Sequence, residues 1–293
     1  MFDLRYHVAS LTAVFLALVI GILVGVGIAD RGLVDQAKKS LLEQRVAQLR
    51  TQLDQASKHS ALSDREQHAA QLYVNETYPV LVRNRLRGKR IAVVFVGKVD
   101  GNVLASIDDA LRDAGAEQVR LRALKMPIDA SSVDARLASQ TDGQSYVGKA
   151  KLESLGKALG EELVAGGDTR LWDTLTDIVL RKEGGGKQPV DGVIVARTVP
   201  PQKGGTSKFL LGLYKGLSSA GLPAVGVETT DAPYSAVGAY RRAGLSSVDD
   251  VDTPAGRLGV VLLLAGAPSG NYGLKQTAEQ SFPPFPLVTR PRG

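Results

Sequence analysis

The chain reads as an α/β protein built in series: an N-terminal single transmembrane helix, a helical coiled-coil stalk, then a mostly parallel three-layer α/β domain. Three observations predict this. An uncharged apolar run fills Val8 to Ala29, a heptad pattern begins at Leu42, and from Ile91 onward β-branched runs alternate with helical periodicity. The expected boundaries are 1–30 for the anchor, 31–88 for the stalk, 89–281 for the globular domain and 282–293 for a proline-rich tail.

The anchor comes first. At the helical rise, the 22 residues from Val8 to Ala29 cover about 33 Å, enough for a hydrocarbon core of about 30 Å. Gly27 and Ala29 offer small residues to a signal peptidase, but the apolar stretch is well beyond the usual length of a signal-peptide core, so a retained anchor is expected. Ala9, Ala13, Ala17, Gly21, Gly25 and Ala29 recur at every fourth position. In lipid, such a ridge lets two helix backbones approach and gain packing that acyl chains cannot supply, so Gly21 and Gly25 are candidate dimerisation residues. Arg5 precedes the helix, whereas Arg31, Lys38, Lys39 and Arg45 follow it. Counted alone, these charges put the carboxyl side in the cytoplasm.

In the stalk, Leu42, Val46, Leu49, Leu53 and Ala56 step by four, three, four and three, the seam of a coiled coil. Ser60 and Ser63 weaken it after about two heptads. Tethering in a membrane raises the effective concentration of two such helices, so a homodimer through anchor and stalk is expected. A helix from Leu33 to Tyr78 would be about 70 Å long, with Pro79 a candidate break. The crossing favoured by the glycine ridge and the supercoil favoured by heptads have opposite hands, so an adjustment is expected near Asp30 to Gly32. Arg83, Arg85, Arg87, Lys89 and Arg90 form a cationic run that suits a helix carboxyl end.

In the globular part, Ile91–Val96, Val119–Leu124, Val190–Ala196, Ala224–Val227 and Leu258–Leu264 read as strands. Lys151–Leu163, Leu171–Arg181 and Lys208–Ala220 read as helices between them, and the alternation implies a mostly parallel sheet. Ligands of such sheets bind at the carboxyl ends of the strands. Two glycine-bearing loops there, Gly97–Gly101 and Gly204–Lys208, match neither nucleotide fingerprint and read as turns and caps. Gly184 to Gly186 reads as a flexible loop. Asp249, Asp250 and Asp252 have a spacing that suits either a hard cation or, more commonly, a turn with a helix cap.

Composition excludes whole classes of chemistry. With no Cys among 293 residues there is no disulfide, thiolate metal site or cysteine nucleophile. The three histidines, His7, His59 and His68, all precede the globular domain, which therefore has no histidine base, triad or metal ligand. No catalytic residues and no cofactor are expected, a metal site is unknown, and the chain is not expected to be an enzyme. A formal charge of +6 on an anchored chain fits anionic lipid or acidic envelope polymers rather than nucleic acid.

The opening FDLRYHVASLTAVFLALVIGILVGVGIADRG, the heptad segment, LRGKRIAVVFVG and VDDVDTPAGRLGVVLLLAGAPSGNYGLKQTA together resemble the actinobacterial copper-transporter family, of the mycobacterial copper transport protein B type. The resemblance implies a single-pass cell-membrane protein linked to copper transport or homeostasis, with stalk and α/β domain extracytoplasmic. This is opposite to the charge count. Cu(I) selects soft sulfur, and the chain offers only Met1 and Met126, so direct Cu(I) chelation is not expected. The alternative is a dimeric coiled-coil scaffold or regulator of the cell envelope or cell division, acting on an envelope protein partner.

Overall fold

A computed structural model describes residues 4–285, with the side chains at 4–6, 28–37 and 141–142 outside the description. The tail from 286 onward, Met1, and the side chains of Arg5, Ala29, Asp30 and Arg31 thus lie outside the described residues, and with them the adjustment expected near Gly32. The chain divides into two compact units, residues 1–71 and 72–293.

Helix α1 (Leu4–Val82) forms the first unit and contributes its last turns to the second. It holds one segment long and apolar enough to cross a membrane, His7–Gly27. Pro79 does not break α1, which runs on to Val82. So near the end, the missing N–H removes one hydrogen bond from a turn that is about to finish anyway. Asn84 then takes a left-handed conformation with φ 60°, and the Arg85 Nε donates to the Leu81 carbonyl, as a cation at a helix carboxyl end should.

The second unit is a seven-stranded sheet between two helical layers. Its strands are β1 (Arg90–Val96), β2 (Glu117–Leu124), β3 (Leu180–Gly185), β4 (Gly192–Arg197), β5 (Ala224–Val227), β6 (Ser246–Val248) and β7 (Asn271–Tyr272), in spatial order β3-β2-β1-β4-β5-β6-β7. All neighbours are parallel except β2 and β3. Strand alternation splits the core in two. Ile91, Val93 and Phe95 face a layer made of α2 (Gly101–Ala114), α8 (Pro254–Leu264) and the end of α1. Ala92, Val94 and Val96 face α3 (Ala130–Ala138), α4 (Leu152–Ala165), α5 (Arg170–Val179), α6 (Gly204–Ser219) and α7 (Val237–Arg242).

Two expectations need correction. Leu258–Leu264 is helix, not strand. Thr253 caps α8 by accepting the Gly256 N–H at 2.9 Å, and Pro254 sits in the first turn, where its fixed φ suits a helix. Because almost every side of α8 is buried, its apolar run carries no helical period to betray it. Gly184 to Gly186 is not a free loop either, since Gly184 and Gly185 close the antiparallel strand β3. Gly185 has φ +87°, and a Cβ there would collide with the Val119 carbonyl, so glycine is what lets the edge strand pair. Arg120, buried beside it, donates to the carbonyls of Gly186 (2.9 Å), Gln188 (2.8 Å) and Leu163, fastening this corner to α4. The short elements α3, α7, β6 and β7 carry too few residues to show a period.

Candidate functional site

Gly21, Gly25, Leu42, Val46, Leu49 and Leu53 all lie on α1. Across His7–Gly27 none of the helix is buried, and a Cβ at Gly21 or Gly25 would meet nothing within 4 Å. Leu42, Val46, Leu49 and Leu53 are exposed, between 46% and 69%. Exposed apolar surface of this extent is the kind that marks membrane or protein contacts. His7, His59 and His68 are also exposed on α1.

In the second unit the sheet has a switch point. After β1 the chain leaves to α2 on one face, and after β4 to α6 on the other, so the loops diverge at the carboxyl ends of two adjacent parallel strands. The crevice between them has a volume of about 210 Å³ and is lined by Asp100, Arg197, Thr198, Glu228 and Tyr234, among others. Its two carboxylates, Asp100 and Glu228, are already engaged. Asp100 accepts the N–H groups of Asn102 (2.9 Å) and Val103 (3.1 Å), so the chain's own carboxylate occupies the anion position at the start of α2. Thr198 donates to the Lys98 carbonyl at 2.6 Å, holding the Gly97–Gly101 loop. Buried Glu228 accepts from Ser235 (3.1 Å) and from the N–H groups of Ala236 and Val237 (3.2 Å to the latter), while Lys275 Nζ lies 3.3 Å from its other oxygen. The Gly204–Lys208 segment is the first turn of α6 itself, with Thr206 Oγ1 accepting the Ile128 N–H at 3.2 Å.

The three carboxylates of the acidic loop turn to three different jobs. Asp249 accepts from Leu274 N–H (2.9 Å) and Lys275 N–H (3.3 Å); Asp252 accepts from Thr230 N–H (2.7 Å) and Oγ1 (2.6 Å). Asp250 is 2% exposed and accepts from Thr253 Oγ1 at 3.1 Å. Burial pushes its carboxyl up to about 6; the Thr253 hydroxyl opposes this and the charges of Asp249 and Asp252 add to it. No group of three or more His, Asp or Glu among the described residues is placed to hold a metal ion. The turn-and-cap reading is what the geometry supports, with Thr253 rather than an aspartate as the cap.

Arg197, Thr198, Glu228 and Tyr234 escaped the sequence reading. The signal was present for two of them: Arg197 ends the VIVA run and Glu228 follows AVGV, which puts a polar side chain at the carboxyl end of each of two buried strands.

A family model described as "Copper transport outer membrane protein, MctB" matches residues 1–283. The chain belongs to that family. No curated protein matches it.

Proposed function

We propose that this family member is a single-pass membrane-anchored envelope protein of copper transport or homeostasis, which acts through protein contacts and not by chelating the metal or by catalysis. One observation carries the reading: the exposed apolar segment His7–Gly27 at the start of a chain that matches a copper-transport family over residues 1–283. No group of three or more His, Asp or Glu is gathered among the described residues and the chain has no cysteine, so in this reading copper is the cargo of a larger assembly. In this reading the α/β domain is extracytoplasmic, the chain is a homodimer through Gly21, Gly25 and the Leu42–Leu53 seam, and a protein of the envelope is its partner. Lone spanning helices enclose no pore, which is a further reason to assign transport to an assembly.

The exposed stalk favours a second reading, a dimeric scaffold or regulator of the envelope or of cell division that handles no copper. A deletion strain complemented with the full chain separates the two. The copper reading expects copper hypersensitivity on deletion and its rescue by the full chain; normal copper tolerance with altered envelope or septum shape overturns it in favour of the scaffold. A reporter fused to the carboxyl terminus reads the topology: activity on the cytoplasmic side overturns the proposed orientation.

A further inference from the structure

Chain ends stay loose unless something ties them down, and residues 279–285 are tied at the sheet edge, on α8 and at the exit of α1. At the edge, the Glu279 N–H donates to the Asn271 carbonyl at 2.7 Å, the Gly273 N–H donates to the Gln280 carbonyl at 3.1 Å, and the Asn271 amide donates to the Glu279 carboxylate at 3.0 Å. On α8, Phe282 packs against the core and Pro283 is buried, its ring 3.6 Å from where a Cβ on Gly259 would stand. At the exit of α1, the Arg85 guanidinium lies over the Phe285 ring, 5.3 Å from its centre, and the rings of Phe285 and Phe282 are 5.9 Å apart. Among the described residues no carboxylate pairs with Arg85. The aromatic face is the group that answers its charge.

We infer that residues 279–285 are a clasp that latches the last turn of α1 within the α/β unit. The segment starts at the β7 edge, crosses α8 and ends on the residue that closes α1, so a contact at the end of the chain bears on the first helix. Pro283 and Pro284 restrict the segment before it closes, which lowers the entropy lost on closing. With the clasp shut, Arg85 is held both by the Leu81 carbonyl and by the Phe285 ring. Phe285 is 44% exposed, so releasing it uncovers little apolar surface and the contact works as a latch rather than as core. With the latch open, Val82 and Leu86 stay buried, but Arg85 loses its cover and the turn frays more often.

Hydrogen exchange of the full-length protein in a non-ionic detergent tests the clasp, read by mass spectrometry at residues 81–88 with β4 as the internal reference. Phe285→Ala should speed exchange at 81–88 about threefold and leave β4 at the parent's rate. Removal of 281–293 should speed it further, by about tenfold relative to β4. Removal of 286–293 alone should change neither. The inference is overturned if Phe285→Ala leaves 81–88 at the parent's rate or speeds β4 equally, if removal of 281–293 speeds 81–88 no more than β4, or if loss of 286–293 alone has the full effect. Should the chain without 281–293 fail to fold, the Phe285→Ala result decides alone.

Discussion

The same four-residue spacing of glycine occurs within three helices of this chain, with opposite surroundings. In α4 and α6, Gly156 and Gly160 face Gly212 and Gly216, and the two backbones touch: a Cβ at any of the four would run into a main-chain atom of the other helix, the Phe209, Leu213, Glu153 and Lys157 carbonyls respectively. In α1, a Cβ at Gly21 or Gly25 meets nothing. One pair of ridges is a finished contact, and the other is a surface of the same shape without its counterpart. The comparison teaches that spacing marks a helix capable of close approach, and that only the neighbourhood says whether the approach is made inside the chain or must be made with another molecule.

The sharpest way to break the comparison is at the finished contact. Gly212→Ala puts a methyl against the Glu153 carbonyl, where only backbone can give way, so α4 and α6 must separate. The expected loss is about 3 kcal/mol or more. Trp172, the one tryptophan, reports it directly: its indole donates to the Leu159 carbonyl on α4 at 2.8 Å, and its surroundings are buried. Denaturant unfolding followed by its fluorescence should show a lowered midpoint. A variant as stable as the parent means the two helices do not approach as described.

A second change moves the stability of the α/β unit without touching either glycine ridge. Burial raises the folded-state pKa of Asp250 from 3.8 to about 6, so the folded protein holds the proton more tightly than the unfolded chain does. Stability from that proton is complete below about pH 4 and is lost as the pH rises through about 6, by an amount on the order of 2 kcal/mol. Asp250→Asn lacks the ionisation and should equal the parent below pH 4 and exceed it by that order at pH 7. Self-association should be the same for both at each pH. A pH-independent difference between parent and variant contradicts the burial argument, and a change in association contradicts the separation of the two surfaces.

Much of the α/β unit was legible because its central strands obey simple rules. Ile91–Val96 is an unbroken apolar run rich in β-branched residues because helices cover both faces, and Ala224–Val227 matches β5 residue for residue. The same rule failed at Leu258–Leu264, where a helix buried on all sides loses the polar stripe that distinguishes it; the Thr253-Pro254 pair ahead of it was the readable clue. The site was less legible for a different reason. The anchor and seam residues declare themselves through local pattern, whereas Arg197 and Glu228 become neighbours only when β4 and β5 are set side by side, and their meaning lies in which hydrogen bonds they make.

The remaining tests act on the unfinished surface and should leave the α/β unit alone. Replacing Leu49 and Leu53 by Asp puts charges where exposed leucines stand at 62% and 69%, so the unfolding free energy read from Trp172 should change by less than about 0.5 kcal/mol. Any dimer held by that seam should fall apart, because a charged seam position is paired against its own copy. Gly21→Ile with Gly25→Ile is subtler still, since both side chains enter open space within the chain and cost it nothing beyond propensity. Between two membrane-embedded copies the same side chains hold the backbones apart and remove the contact that α4 and α6 make through Gly156, Gly160, Gly212 and Gly216. The expected result is an undiminished unfolding midpoint together with a reduced yield of crosslinked dimer in membranes. Unchanged crosslinking would mean that the ridge in α1 is only composition, and that its likeness to the packed ridges ends at spacing.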